Sequence, residues 1–330
     1  MTDGHREKDW DGVRLHVVTG KGGVGKTTVA AALALALATD GRRTLLIEVE
    51  GRQGIAGLFD SATLPYEERR IAVAPGGGEV YALAVDPEDA LIEYLEMFYN
   101  LRRAGAALRK LGAIDFATTI APGLRDVLLT GKAVEAVRRR TDGVHRYDAV
   151  VLDAPPTGRI GRFLNVNSEV QGLAKVGPIR GHASTVMNVI RSPQTVVHLV
   201  TLLEEMPVQE TLDAAAELRG LDLEVGGIVV NDRTQPLVRA VDLRAVADGT
   251  VDETDLAERV RLAGLPRPAR TATALLDSAR EHGARLTVEK RERRRLASLG
   301  KPTYDLPHVD AVDLGALNEF AAALRRQGMA

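Results

Sequence analysis

The chain has 330 residues, enough for a large core, and its 43 basic and 45 acidic residues leave a net charge of −2. That balance gives no reason to expect nucleic acid as the main partner. Cysteine is absent, which excludes disulfides, thiolate-bound zinc and iron–sulfur clusters in this chain.

The first twelve residues, MTDGHREKDWDG, are charged and contain no apolar signal core, so residues 1–12 read as a flexible N-terminus of a soluble, cytoplasmic protein. A single domain is then expected over residues 13–330. RLHVVT at 14–19 is a short, near-continuous apolar strand, and TGKGGVGKTT follows at 19–28. Gly20 to Thr27 fits the phosphate-loop pattern G-x-x-x-x-G-K-[ST], between a predicted strand and a predicted helix, where the motif is credible.

The chemistry of that loop gives each residue a role. Gly20, Gly22, Gly23 and Gly25, with Val24, let successive backbone N–H groups turn inward around a β-phosphate, and the helix start adds partial positive charge. Lys26 is placed to bridge β- and γ-oxygens, Thr27 to ligate Mg²⁺, and Thr28 to complete the ATP or ADP site. Lys21 is one lysine more than the motif requires. Its ammonium has two expected places: solvent, or the phosphates of a nucleotide held by a second subunit.

The helix after the loop, VAAALALALA at 29–38, is too short for the roughly 20 residues of a membrane span. Further apolar strands are expected at 43–50, 80–85, 147–154, 195–201 and 225–231. Continuous rather than alternating apolar runs suit a doubly wound, mainly parallel sheet with helices on both faces, an α/β fold.

Two long gaps, 86–145 and 159–192, are read as insertions forming a helical subdomain. In the first, Leu91, Tyr94, Leu95, Phe98, Leu101 and Leu108 share one helical face, and a second helix starts near Pro122 and Gly123. Those apolar faces either pack on the core or line a groove for a client protein. The basic run VEKRERRRLASLG at 288–300 is read as a solvated helix face, because Glu289 and Glu292 interrupt it and aromatic stacking residues are missing.

Taken together, these motifs resemble a known family. GKGGVGKTT is similar to the deviant phosphate loop of the signal-recognition, partition and nitrogenase-reductase class of dimeric ATPases. LDAPPTGRIGRFL at 152–164 resembles the switch II signature of the arsenite-pump and tail-anchored-protein-targeting ATPases, and PGLRD at 122–126 resembles their P-G-x-[DE]-E element. EEMPVQETLDAAAELRGLDLEVGGIVVND at 204–232 and YDLPHVDAVDLGALNEF at 304–320 are similar to the family's later motifs, in the same order.

The resemblance implies a P-loop ATPase of the deviant Walker A class, with Mg²⁺ as cofactor and a dimer as the working form. It implies that Asp153 opens switch II and holds Mg²⁺ through a water, that Asn231 reads adenine, and that Pro307 and Val309 line the other side of that pocket. Counting 29 residues from Lys21, as the family's switch I does, lands on Glu50 where the family has aspartate, with Gly51 replacing proline and Phe59 matching a family phenylalanine. Glu50 is therefore the expected water-positioning carboxylate and a possible Mg²⁺ neighbour, with Glu48 as the alternative. The extra methylene is expected to slow turnover.

Other departures narrow the client. Arg159 stands in place of the family's histidine, and Ala154 and Pro155 in place of Thr-Ala. Without cysteine, neither thiol-based arsenite binding nor a C-x-x-C zinc clamp is available. Only Met97, Met187 and Met206 fall near a would-be groove, few for one adapted to membrane segments. The expected function is a Mg²⁺-dependent ATPase switch, a homodimer or a heterodimer with a paralogous ATPase as in actinobacterial members, acting on an unknown protein client. A nucleotide-binding regulatory subunit with little activity of its own is the second reading. A partition or division-site ATPase is the third; it would want a DNA-binding face or a membrane helix, and neither nucleic acid nor a stable membrane anchor is expected.

Overall fold

The computed structural model describes residues 9–99, 123–173 and 178–330. Ten strands form among them: β1 (Leu15–Gly20), β2 (Arg43–Glu48), β3 (Arg69–Val73), β4 (Glu79–Ala84), β5 (Arg140–Thr141), β6 (Val144–His145), β7 (Ala149–Asp153), β8 (Thr195–Thr201), β9 (Val225–Arg233) and β10 (Thr303–Pro307). β5 and β6 make a small hairpin, and the other eight build one sheet in the order β10-β9-β8-β1-β7-β2-β4-β3. Every neighbouring pair is parallel except β3 with β4. β1 and β8 are buried along their whole length, as strands covered on both faces must be.

All six expected strands are present. β3 and β10 were not legible as strands, for physical reasons. RRIAV at β3 is an exposed, arginine-bearing edge without a continuous apolar run, and TYDLP at β10 ends in a proline tolerated only because that strand is the other edge.

The helices, in chain order, are α1 (Lys26–Ala38), α2 (Gly54–Leu58), α3 (Pro87–Tyr99), α4 (Leu124–Arg138), α5 (Thr157–Leu173), α6 (Pro178–Ile190), α7 (Glu205–Gly220), α8 (Ala240–Ala247), α9 (Glu253–Leu262), α10 (Pro268–Ala297) and α11 (Leu314–Arg326). α1 and α11 cover one face of the sheet, where Val29, Leu33, Leu317, Phe320 and Leu324 share a core with Val18, Leu46 and Val229. The apolar face of α11 is thus consumed by the core. Among the described residues no helix is long and apolar enough to cross a membrane.

α4, α5, α6 and α7 cover the opposite face. Leu128, Val134, Phe163, Val186, Ile190 and Leu218 pack there against Val17, Leu152 and Leu199. The described parts of the two insertions therefore contribute buried residues to the main core; Met187 is buried while Met206 is exposed. Of the apolar face expected from 91 to 108, Leu91 is in this core. The side chains of Met97, Tyr94, Leu95 and Phe98, and all of Leu101, Leu108 and Pro122, lie outside the described residues.

Between β9 and β10 the chain makes a helical appendage, α8 to α10, of which sequence periodicity indicates only the last part. α10 runs 30 residues and buries only Ala272, Leu276, Glu292 and Leu296. Its basic run is largely paired: Glu292, fully buried, accepts from Arg291 Nε and Arg295 Nη1 at 2.7 Å each, and Arg293 binds Asp305 at 2.6 Å.

Candidate functional site

The register of the parallel sheet builds the site. β1 and β7 are neighbours with Val18 opposite Asp153, so the loop leaving β1 and the carboxylate ending β7 emerge side by side. Ala154 N–H donates to Val18 O at 3.0 Å, and Thr19 Oγ1 donates to Pro155 O at 2.6 Å, which pins the start of the segment after Asp153 to the strand below the loop.

Three glycines are required by geometry, Gly23 among them with φ 89°. A Cβ on Gly20 would collide with the Val200 carbonyl oxygen, and Gly25 takes φ 85°, a left-handed conformation, to turn the loop into α1. Gly22 and Gly23 are exposed at the crown. α1 has no side-chain cap at its first turn and no acidic residue there, so its N–H groups and dipole remain available to an anion.

Around this helix start the side chains converge. Thr27 Oγ1 donates to Asp153 Oδ2 at 2.7 Å, and Lys26 Nζ donates to Lys21 O at 3.4 Å, inside the curve of the loop. Lys26 and Asp153 are both buried. Burial drives the lysine's pKa down, with Asp153 and Glu50 opposing. Burial also raises the Asp153 carboxyl from 3.8 to about 6, against its bond to Thr27 and the charge of Lys26, and Glu48 and Glu50 push it further up. A buried carboxylate crowded by others is a place where added positive charge is favourable.

The donor set fits Mg²⁺. Among the described residues no group of three or more metal-binding side chains forms. A hydroxyl and a carboxylate are what Mg²⁺ commonly takes from a protein when nucleotide phosphates and waters supply the rest.

Of the two switch I candidates, Glu48 is held by the backbone, its carboxylate accepting from Gly54 N–H at 3.3 Å and Ile55 N–H at 3.2 Å and so capping α2. Glu50 is partly exposed at the mouth of the site, with Arg52 at 3.6 Å and Arg159 at 3.9 Å. Phe59 is buried in the α1-side core. Asn231, at the end of β9, donates its side-chain amide to Val24 O at 3.0 Å and so braces the loop. Pro307 lies opposite Arg233 on the adjoining strand, and Val309 packs on the core beside it. The structure thus brings the loop, Thr27, Lys26, Asp153 and Asn231 together, with Glu50 beside them and Pro307 and Val309 alongside the end of β9.

Four connections were missed by sequence reasoning. Arg159 reaches both Glu50 and, at 3.8 Å, Asp126 in the first turn of α4, joining three separate segments. Burial raises the Asp126 carboxyl, with Arg159 opposing. Lys21 Nζ is partly exposed but not unpartnered: it pairs with Glu210 of α7 at 3.1 Å, and Glu210 also accepts from Thr157 Oγ1 at 3.2 Å. Asp126 and Glu210 each fall in a segment whose motif is visible in the sequence, but their partners are remote in the chain.

A mainly parallel sheet whose first strand feeds a glycine loop, a helix start, a buried lysine and a threonine bonded to the aspartate of the next strand defines a phosphate-loop NTPase. Comparison narrows the class. The model of the anion-transporting ATPase family matches residues 13–193. Over 320 residues, 96% of this chain and 94% of the relative, the sequence is 51% identical to ATPase BagA of Mycobacterium tuberculosis. It is 27% identical to an arsenical pump-driving ATPase of Escherichia coli, over 75% of this chain and 44% of that protein, and 26% identical to ATPase GET3 of Kluyveromyces lactis, over 65% and 70% respectively. The chain belongs to the anion-transporting ATPase family, and each of these relatives is an ATPase by name.

Proposed function

We propose that the protein is a Mg²⁺-dependent ATPase switch whose working form is a pair of chains. The observation that carries this reading is the Thr27–Asp153 bond of 2.7 Å beside the buried Lys26, at the uncapped start of α1. The loop N–H groups and Lys26 would hold the phosphates, and Thr27 and Asp153 would hold Mg²⁺, Asp153 through a water. When bound, Mg²⁺ neutralises charge on the transferring phosphoryl group. Glu50 would orient the attacking water, Asn231 would offer its remaining amide oxygen to adenine, and Pro307 and Val309 would flank the base. Lys21 would supply positive charge to the partner's nucleotide, in the manner of a residue donated in trans.

The readout runs through α5, which starts four residues after Asp153. The insertions at 86–145 and 159–192 would act as the helical subdomain of the single domain over 13–330, changing their packing with nucleotide state to hold or release a protein client. The arsenical pump-driving ATPase among the relatives is by name an ATPase that drives another component, which supports a coupled role, without naming the client here.

Phosphate release from MgATP by the purified protein tests the reading. Release should require Mg²⁺, and Glu50→Gln should lower it by roughly 10²-fold. Unchanged release in Glu50→Gln removes Glu50 from the catalytic role. One observation favours a second reading, a nucleotide-binding regulatory half of a heterodimer: Glu50 is faced by two arginines rather than left free for water. That reading expects no release by the chain alone and restored release on mixing with a paralogue.

A further inference from the structure

Lys21 and Thr157 lie 136 residues apart and converge on one carboxylate. Glu210 Oε1 is 3.1 Å from Lys21 Nζ, and its other oxygen accepts from Thr157 Oγ1 at 3.2 Å. Thr157 is buried and opens α5, while Lys21 and Glu210 keep about a third of their side-chain surface exposed, 31% and 35%. The ion pair is therefore accessible to competition, and the hydroxyl beneath it is not.

From this geometry we propose that Glu210 is a positioning residue that stores Lys21 within its own chain and gates the pairing of two nucleotide sites. The inference rests on the paired-site reading above and adds its regulation. A lysine cannot serve Glu210 and a neighbouring chain's phosphates at once, so each pairing event begins with the loss of this ion pair. An exposed ion pair is weak and screened by salt. A nucleotide's triphosphate carries several negative charges in a less polar setting, and outcompetes a single half-exposed carboxylate for the ammonium. A chain facing no partner nucleotide therefore keeps Lys21 sequestered, and an apposed chain loaded with ATP extracts it.

The release is felt beyond the loop, because Glu210 is attached at both sides. Its chain neighbour Gln209 accepts from Arg295 of α10, and Glu205, at the start of α7, pairs with Arg291 at 3.7 Å. α7 thus touches the phosphate loop through Glu210, α5 through the same carboxylate, and α10 through the preceding turn. When Lys21 departs, Glu210 keeps only Thr157 as a donor among these contacts. The balance of forces on α7 then changes where α5 and α10 both meet it.

Glu210→Gln separates the two functions of the side chain, since the amide oxygen still accepts from Thr157 but the ion pair is gone. With MgATP held as a non-hydrolysable analogue, sedimentation velocity should show Glu210→Gln pairing at a protein concentration about fivefold lower than the unaltered protein. Independently of pairing, the Lys21 ε-amine of the nucleotide-free protein should be labelled by acetic anhydride more slowly than in Glu210→Gln. The rate in the unaltered protein should rise with added sodium chloride. Equal pairing concentrations, equal labelling, or labelling indifferent to salt would each overturn the proposal. A protein that stays monomeric with the analogue at every concentration removes the paired-site reading and the gate with it. Slow Lys21 labelling in that case registers the ion pair alone, so the two failures are distinguishable.

Discussion

The two ends of β1 hold buried polar groups in opposite conditions. Near its start, His16 and His198 stack at 5.4 Å between ring centres, fully buried, and their nitrogens lie 3.1 Å apart. Gly227 N–H donates to His198 Nδ1 at 3.1 Å, so His198 carries its proton on Nε2 and donates it to His16 Nδ1. Trp10 meets His198 edge-on at 5.3 Å and donates to Tyr304, which donates to Asp9. At the other end of the same strand, a helix start has no cap and a buried aspartate sits among glutamates. One end is completed by the chain itself, apart from His16 Nε2 and the neighbouring Arg14 Nε. The other leaves a helix start and a carboxylate open to the nucleotide and Mg²⁺ proposed for it, and the contrast separates buried polar groups that pack from those proposed to bind.

Asp153→Asn puts the severest strain on this contrast, at the binding end. It should reduce Mg²⁺-supported phosphate release by roughly 10²-fold or more. The same change should stabilise the nucleotide-free protein. With its folded pKa raised from 3.8 to about 6, the ionised carboxylate works against folding above pH 6, and the cost fades as pH falls towards 3.8. Removing it is worth up to about 3 kcal/mol at pH 8, read from urea unfolding. A variant that is both inactive and less stable would contradict a site held in readiness for a cation.

The histidine end predicts a pH dependence of opposite sign. Burial lowers His16 from 6.5 to about 4 and His198 further below its ordinary value, with His16 adding to the shift on His198. The unfolded chain therefore binds the proton first. This stabilisation is complete above pH 6.5 and is lost as pH falls from 6.5 towards 4, by about 3 kcal/mol for His16. His16→Gln should destabilise the protein at pH 8, and the difference from the unaltered protein should shrink steadily over that window. A constant difference would show that the pair is not buried as a neutral unit.

A milder change is expected where the loop is braced from outside. Asn231→Ala removes the donor to Val24 O and should weaken nucleotide binding by about tenfold, by calorimetric titration, with little change in unfolding midpoint. A larger loss confined to adenine nucleotides, spared with inorganic triphosphate, would assign Asn231 mainly to the base.

Much of this was legible in the chain. The six apolar runs announce a parallel sheet, and the loop announces its own geometry, because glycines, Lys26 and Thr27 act within a span of eight residues. Asp153 was readable because a strand-end aspartate followed by a switch-like segment has few other uses in such a sheet. Glu48 and Glu50 could not be separated by counting. Two residues apart, they differ only in that one meets the backbone of α2 and the other the mouth of the site. The edge strands, the appendage of α8 to α10, and the pairing of the basic run with buried Glu292 all depend on what lies opposite, which periodicity does not record.

The class of fold, the nucleotide loop and the family follow from the chain alone, since these rest on local patterns: apolar runs, glycine spacing, and a lysine and threonine in register. Where Lys21, Arg159 and the two histidines go was settled by tertiary packing, because a charge or a ring takes its partner from elements distant in the chain. Lys21 shows the division most plainly. Its presence in the loop is a local fact, but its contact with Glu210, and through it with Thr157 and α7, exists only because the sheet sets β1 beside β7 and β8 and lays α5 and α7 across the same face.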